Sequence, residues 1–272
     1  MKDVSKSNSL FWNELCGTQM ARQLGIHDDS SESLAKFDRW YFQYYPYLDK
    51  YIQFSQCEGR DVLEVGLGYG SVSQRLAESG CRYHGLDIAK GPVSMVRHRL
   101  KQSGFLGSVI QGSILDPPFP DGSFDIIVAI GCLHHTGNLP LAIQRCHELL
   151  RPGGRLIFMV YYAYSYRRWY ANTSITFSYL LKEVFGYCGV VPAGSEAERA
   201  AYDMSGAGQG APHTDWISRK SLRFLCRGWS TFSCWTENIA QEPPFSRWSR
   251  DELMRSPLPR LFGLDLYAVA VK

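Results

Sequence analysis

The sequence predicts an α/β chain built on one mostly parallel sheet with helices on both faces. Three observations carry this. Short apolar runs alternate with segments of helical spacing from Asp61 to Tyr161. The first run, Val62 to Val65, meets a Gly66-Leu67-Gly68-Tyr69-Gly70 turn that opens a helix. The second run ends in an acid, Asp87. With 272 residues, 45% of them hydrophobic, the chain is long enough for one such domain with additions.

Each element follows from its local pattern. Ser9 to Phe54 reads as helical, with Phe11, Leu15, Met20 and Leu24 on a rough apolar face. Pro46 kinks or divides that stretch, because proline cannot donate to a helix and restricts the residue before it. Val62 to Val65 is a buried strand, Ser71 to Glu78 a helix, and Arg82 to Asp87 a second strand. Val93, Val96 and Leu100 have helical spacing. Ser108 to Gln111 and Phe124 to Ile130 are the third and fourth strands. Leu139, Ala142, Ile143, Cys146, Leu149 and Leu150 trace one helix face, which Arg151-Pro152-Gly153-Gly154 ends. Arg155 to Tyr161 is the fifth strand. A long aromatic-rich insertion, with the tract Gly206-Ala207-Gly208-Gln209-Gly210, then breaks the alternation. Ser218 to Arg227 is a helix, and Thr231 to Ile239 and Leu264 to Val271 are two more strands.

Composition excludes several classes. The 29 Lys and Arg against 26 Asp and Glu give a net charge of +3, which reads as a solvated face. A nucleic-acid binder shows a stronger basic stripe, so no nucleic-acid partner is expected. The eight cysteines show no Cys-x-x-Cys pair and no zinc spacing, as expected of reduced thiols. Met1 to Leu10 lacks an apolar signal region, and the stretch from Leu156 to Tyr164 is too short to span a bilayer. The expectation is a cytoplasmic protein without stable membrane insertion.

The glycine turn carries the chemistry. Glycines at a strand-to-helix turn let backbone approach a ligand, and the helix N-terminus favours an anion. The third glycine comes one place earlier than in the dinucleotide fingerprint, and Ser71 stands where that pattern has glycine. Asp87, at a strand end, can accept both hydroxyls of a ribose. Glu64, at the end of the first strand, is expected to orient the loop and a ligand ammonium.

These motifs resemble the class I S-adenosyl-L-methionine (SAM) methyltransferases. Glu64-Val65-Gly66-Leu67-Gly68-Tyr69-Gly70 is similar to their first motif, and Asp87 matches their ribose-binding acid. Pro118 to Asp125, Gly131-Cys132-Leu133-His134-His135 and Leu150 to Gly154 match their later motifs in order. The resemblance covers residues 61 to 160. It implies a Rossmann-like sheet of seven strands, order 3-2-1-4-5-7-6, with the last strand antiparallel. It implies SAM as cofactor, held by Glu64, Gly66, Gly68, Gly70, Asp87, Ile88, Ser113, Ile114 and Gly131. Many relatives have Asp where Ser113 stands, accepting from the adenine amino group; Ile88 and Ile114 would sandwich the ring. Residues 1–58 then form an N-terminal helical cap, 59–162 the SAM-binding core, 163–217 a lid insertion, and 218–272 the strands completing the sheet.

The expected reaction is metal-independent methyl transfer to a small-molecule acceptor, a hydroxyl or an amine, with oxygen favoured. A tRNA or protein methyltransferase and a non-catalytic SAM-binding module are the alternatives. Asp116-Pro117-Pro118-Phe119 spells the motif of nucleobase and glutamine amide methyltransferases, but it precedes the fourth strand instead of following it. The fourth-strand exit offers no carboxylate for a magnesium site. His134, His135 and His213 are the candidates for a general base.

Overall fold

The computed structural model describes residues 2–192 and 194–272. Nine strands form one sheet. They are β1 (Asp61–Val65), β2 (Arg82–Asp87), β3 (Gly107–Gln111), β4 (Phe124–Ile130), β5 (Leu150–Tyr162), β6 (Val191–Pro192), β7 (Asp215–Ile217), β8 (Thr231–Glu237) and β9 (Asp265–Val271). Strands β3, β2, β1, β4 and β5 lie side by side and parallel. Past β5 the sheet branches. Most of β5 pairs antiparallel with β9, which pairs antiparallel with β8. Its last two residues, Tyr161 and Tyr162, also pair parallel with Trp216 and Ile217 of β7, which carries β6 antiparallel beside it; Tyr161 pairs with β9 on one edge and β7 on the other.

The expected path of seven strands is therefore present, and the insertion adds two short ones. Period-2 alternation sets the layers. Leu63 and Val65 of β1, with Ile127 and Ala129 of β4, face the helix Leu139–Leu149. Val62 and the β4 residues Ile126 and Val128 face the opposite way. There they meet Val72 and Leu76 of the helix Ser71–Glu78 and Val93, Val96 and Leu100 of the helix Lys90–Ser103. The sequence Arg151 to Gly154 is a bulge inside β5, since Phe124 and Ile126 of β4 pair with Leu150 and Arg155.

The N-terminal segment is several helices. It breaks after Phe11, at Gly17 and after Gln23, and again at Tyr45 to Tyr47 around Pro46. The insertion carries helices at Tyr166–Ala171, Thr173–Val184 and Glu196–Ala200. Its glycine tract is a closed turn. Ser205 and Gln209 are bonded, Met204 bridges Gly210, and a Cβ on Gly210 would lie 2.6 Å from the Glu196 carbonyl oxygen. No helix among the described residues is long and apolar enough to cross a membrane.

Candidate active site

The carboxyl ends of β1, β2, β4 and β5 open into one cavity of about 390 Å³. The glycine turn forms its floor. Gly66, Gly68 and Gly70 all have positive φ (77°, 52° and 84°), which glycine adopts without a Cβ penalty. At Gly66 the constraint is doubled, because a Cβ would lie 2.4 Å from the Cβ of Cys132. The Cys132 thiol donates to the Val65 carbonyl at 3.0 Å, which ties the β4 exit to the turn.

Asp87 closes one side. Its Oδ2 accepts from Leu67 N–H and its Oδ1 from Ala89 N–H, both at 2.8 Å. A carboxylate has about four acceptor sites, so two remain for ligand hydroxyls. Burial raises its pKa to about 6. Glu64 is also buried in the lining, and its Oε2 accepts from Ser73 Oγ and Tyr83 Oη at 2.6 Å each. Burial outweighs these two bonds and raises the Glu64 pKa to about 7. Ile88, Ser113, Ile114 and Gly131 complete this half of the lining. The Ser113 hydroxyl accepts from Leu115 N–H at 3.2 Å and so shapes its own turn.

Further contacts, invisible to local sequence pattern, hold the turn against the N-terminal helices. Arg99 is almost wholly buried and donates to the Tyr69 carbonyl at 2.9 Å. Its guanidinium also grips both oxygens of Asp38, at 2.9 and 3.0 Å. Asp38 in turn accepts from the Ser71 hydroxyl at 2.5 Å. One buried arginine thus joins the helix Ser31–Tyr44 to the turn and to the start of the next helix.

The other end of the cavity is aromatic. Trp12, Tyr41, Tyr45, Tyr161, Tyr202 and Tyr267 line it. The three candidate histidines separate here. His135 lines the cavity; its Nδ1 donates to the His213 carbonyl at 2.7 Å and its Nε2 lies 3.4 Å from Asp203 Oδ2. Asp203 belongs to the insertion and accepts from the Tyr161 hydroxyl at 2.9 Å. His134 is fully buried outside the lining and packs on Tyr161, with ring centroids 4.2 Å apart. His213 also lies outside the lining; its ring sits 3.1 Å from Asp215, and only its backbone carbonyl serves the site. Of the three candidate histidines, His135 lines this cavity, whereas the rings of His134 and His213 do not.

Asp203, Trp12 and Asn8 sit in no motif that marks them for the site. Asn8 Nδ2 donates to the His135 carbonyl at 2.6 Å, and the Trp12 ring lies 4.8 Å from that of His135. Among the described residues, no group of three or more His, Cys, Asp or Glu side chains is placed to hold a metal ion.

Residues 63–158 match the Methyltransferase domain family. Over that span the chain is similar to methyltransferase domains. Within it, the chain is 34% identical over 99 residues to a demethylmenaquinone methyltransferase of Tropheryma whipplei, covering 36% of this chain and 41% of that protein. It is 31% identical over 101 residues to a ubiquinone biosynthesis O-methyltransferase of Vibrio parahaemolyticus, covering 37% and 43%. The chain thus spans about two fifths of the length of these curated relatives. The crystal structure of the YcgJ protein from Bacillus subtilis shares the fold, with a TM-score of 0.56 at 17% identity over 84% of this chain and 98% of that one.

SAM is the cofactor of such a domain, and the residues present fit it. The turn leaves room for backbone contact, an acid ends β2, a second acid lies near the end of β1, and two isoleucines, Ile88 and Ile114, line the same cavity. SAM supplies a methyl group on a sulfonium. The protein's own groups would bind the ribose at Asp87, accept an ammonium at Glu64, and exclude water with the tyrosine cluster.

Proposed function

We propose that the protein is a SAM-dependent methyltransferase acting on a small molecule that carries a hydroxyl or an amine. One observation carries this reading. A single cavity joins the glycine turn, Glu64 and Asp87 to Asp203 and His135. The first group suits a nucleoside with a charged tail, and the second can hold or remove an acceptor proton. Catalysis rests on holding the acceptor in line with the methyl carbon while water is excluded. No step in this account uses a metal.

The cofactor residues in this reading are Glu64, Gly66, Gly68, Gly70, Asp87, Ile88, Ser113, Ile114 and Gly131. The catalytic assignment narrows to His135, with Asp203 added. The insertion and the N-terminal helices serve as the acceptor's enclosure. The matched relatives are named for demethylmenaquinone and for ubiquinone biosynthesis, so quinone precursors are one class to assay. The family match ends at residue 158, before the insertion that supplies Asp203, so the acceptor is not carried by that likeness.

The test is incubation of the protein with methyl-labelled SAM and a metabolite extract, with and without EDTA. The expected result is SAM binding and a labelled small product in both conditions. Failure to bind SAM would overturn the reading, and activity lost on chelation and restored by magnesium would overturn its metal-free form.

A further inference from the structure

The acceptor end of the cavity sets two hydrogen-bond acceptors facing each other. A carbonyl can only accept, so the His135 Nδ1 that meets the His213 carbonyl carries a proton. In the neutral ring, Nε2 is then a bare lone pair. It has no hydrogen-bond partner, although the side chain is only 4% exposed. What it faces, at 3.4 Å, is Asp203 Oδ2, itself an acceptor. Burial disfavours charge on both, lowering the His135 pKa and raising that of Asp203.

The lining has one sign, although Arg167, held over the Tyr202 ring outside it, offsets part of the charge on Asp203. Asp203 also lines a second cleft, which continues past Trp12 and Cys16 toward Glu14 and Gly206. The sequence has 29 Lys and Arg. Among the described residues, none of them lines either space, whereas Glu64, Asp87, Asp203 and Glu14 do. The neighbouring rings are tyrosine and tryptophan faces, which attract cations. An anionic acceptor would find no counter-charge among the described lining residues.

We propose that the acceptor is a primary amine, with Asp203 and His135 Nε2 each taking one of its N–H groups. This deepens the methyltransferase reading and rests on it. Asp203 Oδ2 already accepts from Tyr161. A hydroxyl has one hydrogen to give and so reaches only one of the two facing acceptors, whereas an amine gives one N–H to each and still has a lone pair to present. An amine leaves its ammonium proton in water on entering, so Asp203 and His135 Nε2 stay unprotonated and each takes one of its two N–H groups. Its lone pair then forms the N–C bond as the methyl C–S bond breaks, and that electron pair stays on sulfur as the thioether of S-adenosylhomocysteine. The positive charge passes to the methylated nitrogen, beside Asp203.

The experiment titrates the full-length protein, saturated with S-adenosylhomocysteine, with benzylamine, benzyl alcohol and benzoate. These share a ring and a size and differ in charge and hydrogen count. Benzylamine is expected to bind at least about tenfold more tightly than benzyl alcohol, as when a polar site is left unpaired by the wrong ligand, with benzoate weakest. Nitrogen-15 spectra of the parent, without amine at neutral pH, should show His135 as the Nδ1–H tautomer, with Nε2 shifting when benzylamine is added. In Asp203→Asn the preference for benzylamine should shrink to within about threefold, as expected when the pairing charge is gone. Equal binding of amine and alcohol, no binding of benzylamine, tightest binding of benzoate, or an Nε2 already protonated without ligand would each overturn the proposal. Failure of the parent to bind S-adenosylhomocysteine would instead overturn the methyltransferase reading.

Discussion

The two ends of the cavity are built in different ways. The cofactor end comes from consecutive turns of one sheet, and its key contacts are to backbone: Asp87 to Leu67 and Ala89, and Cys132 to Val65. The acceptor end is assembled from side chains far apart in the chain. Asn8 reaches His135 across 127 positions, His135 reaches His213 across 78, and Tyr161 reaches Asp203 across 42. A backbone-built site is fixed by the fold itself and tolerates change in the rest of the chain. A site built by converging side chains can change its ligand by changing a few residues. The first end suits a fixed cofactor, and the second suits a specific acceptor.

That difference predicts how variants divide. The largest effect should fall on transfer at the acceptor end. His135→Gln should slow methyl transfer by about 10²–10⁴-fold, the range for a lost proton acceptor or orienting group, with cofactor affinity held within a few-fold. His134→Gln and His213→Ala should not reproduce this split, since neither ring lines the cavity. Single-turnover rates alongside cofactor titrations check it. An equal loss in His213→Ala would place the active histidine elsewhere.

At the cofactor end, Gly66→Ala should lower stability by roughly 1–3 kcal/mol through overpacking against Cys132, and cofactor affinity with it. Gly153→Ala also places a side chain at positive φ, but it meets open space and should cost only about 1–2 kcal/mol. Thermal unfolding of the two variants separates crowding from backbone strain.

A smaller effect should appear with pH. Burial raises Glu64 to about 7 and Asp87 to about 6, above the usual value of about 4 for carboxylates. The folded, ligand-free protein therefore holds protons that the unfolded chain has released between about pH 4 and 7. These two acids make folding less favourable as pH rises through that window. SAM binding should move the other way, because its ammonium and ribose hydroxyls prefer the ionised carboxylates. Its affinity should rise roughly tenfold from pH 5.5 to 8, and Glu64→Gln should flatten part of that rise. A flat profile in the parent would mean that neither acid contacts the cofactor.

The same contrast explains what could be read from sequence. The strands from Asp61 to Tyr161 and the turn at Gly66 to Gly70 are local patterns. Apolar alternation, a strand-to-helix glycine turn and an acid at a strand end need no knowledge of distant partners. The bounds of β2, β4 and the helix Ser71–Glu78 followed from them. Strands β6 and β7 have two and three residues, too short to show a period, so the sheet's branch stayed hidden. The glycine tract has no local pattern that fixes it, yet Gly206 N–H is bonded to Glu14 and Gly210 is packed against a helix, contacts that only the fold reveals. The histidines were visible as a cluster, but which one faces the cavity depends on a half-turn after β4 and on a carbonyl near β7. Asp203 sits among Ala201, Tyr202 and Met204 with no motif around it.

The central claim is that the two ends are separate sites within one cavity, with the cofactor bound by the sheet and the acceptor by the converging side chains. Calorimetric titration of S-adenosylhomocysteine into the parent, Asp87→Ala and Asp203→Asn tests it most directly. Hydrogen bonds to a charged group contribute about 1.5–3 kcal/mol each, so Asp87→Ala should bind tens-fold or more weakly. Asp203→Asn should stay within a few-fold of the parent. Equal weakening in both variants, or unchanged affinity in Asp87→Ala, would contradict the account.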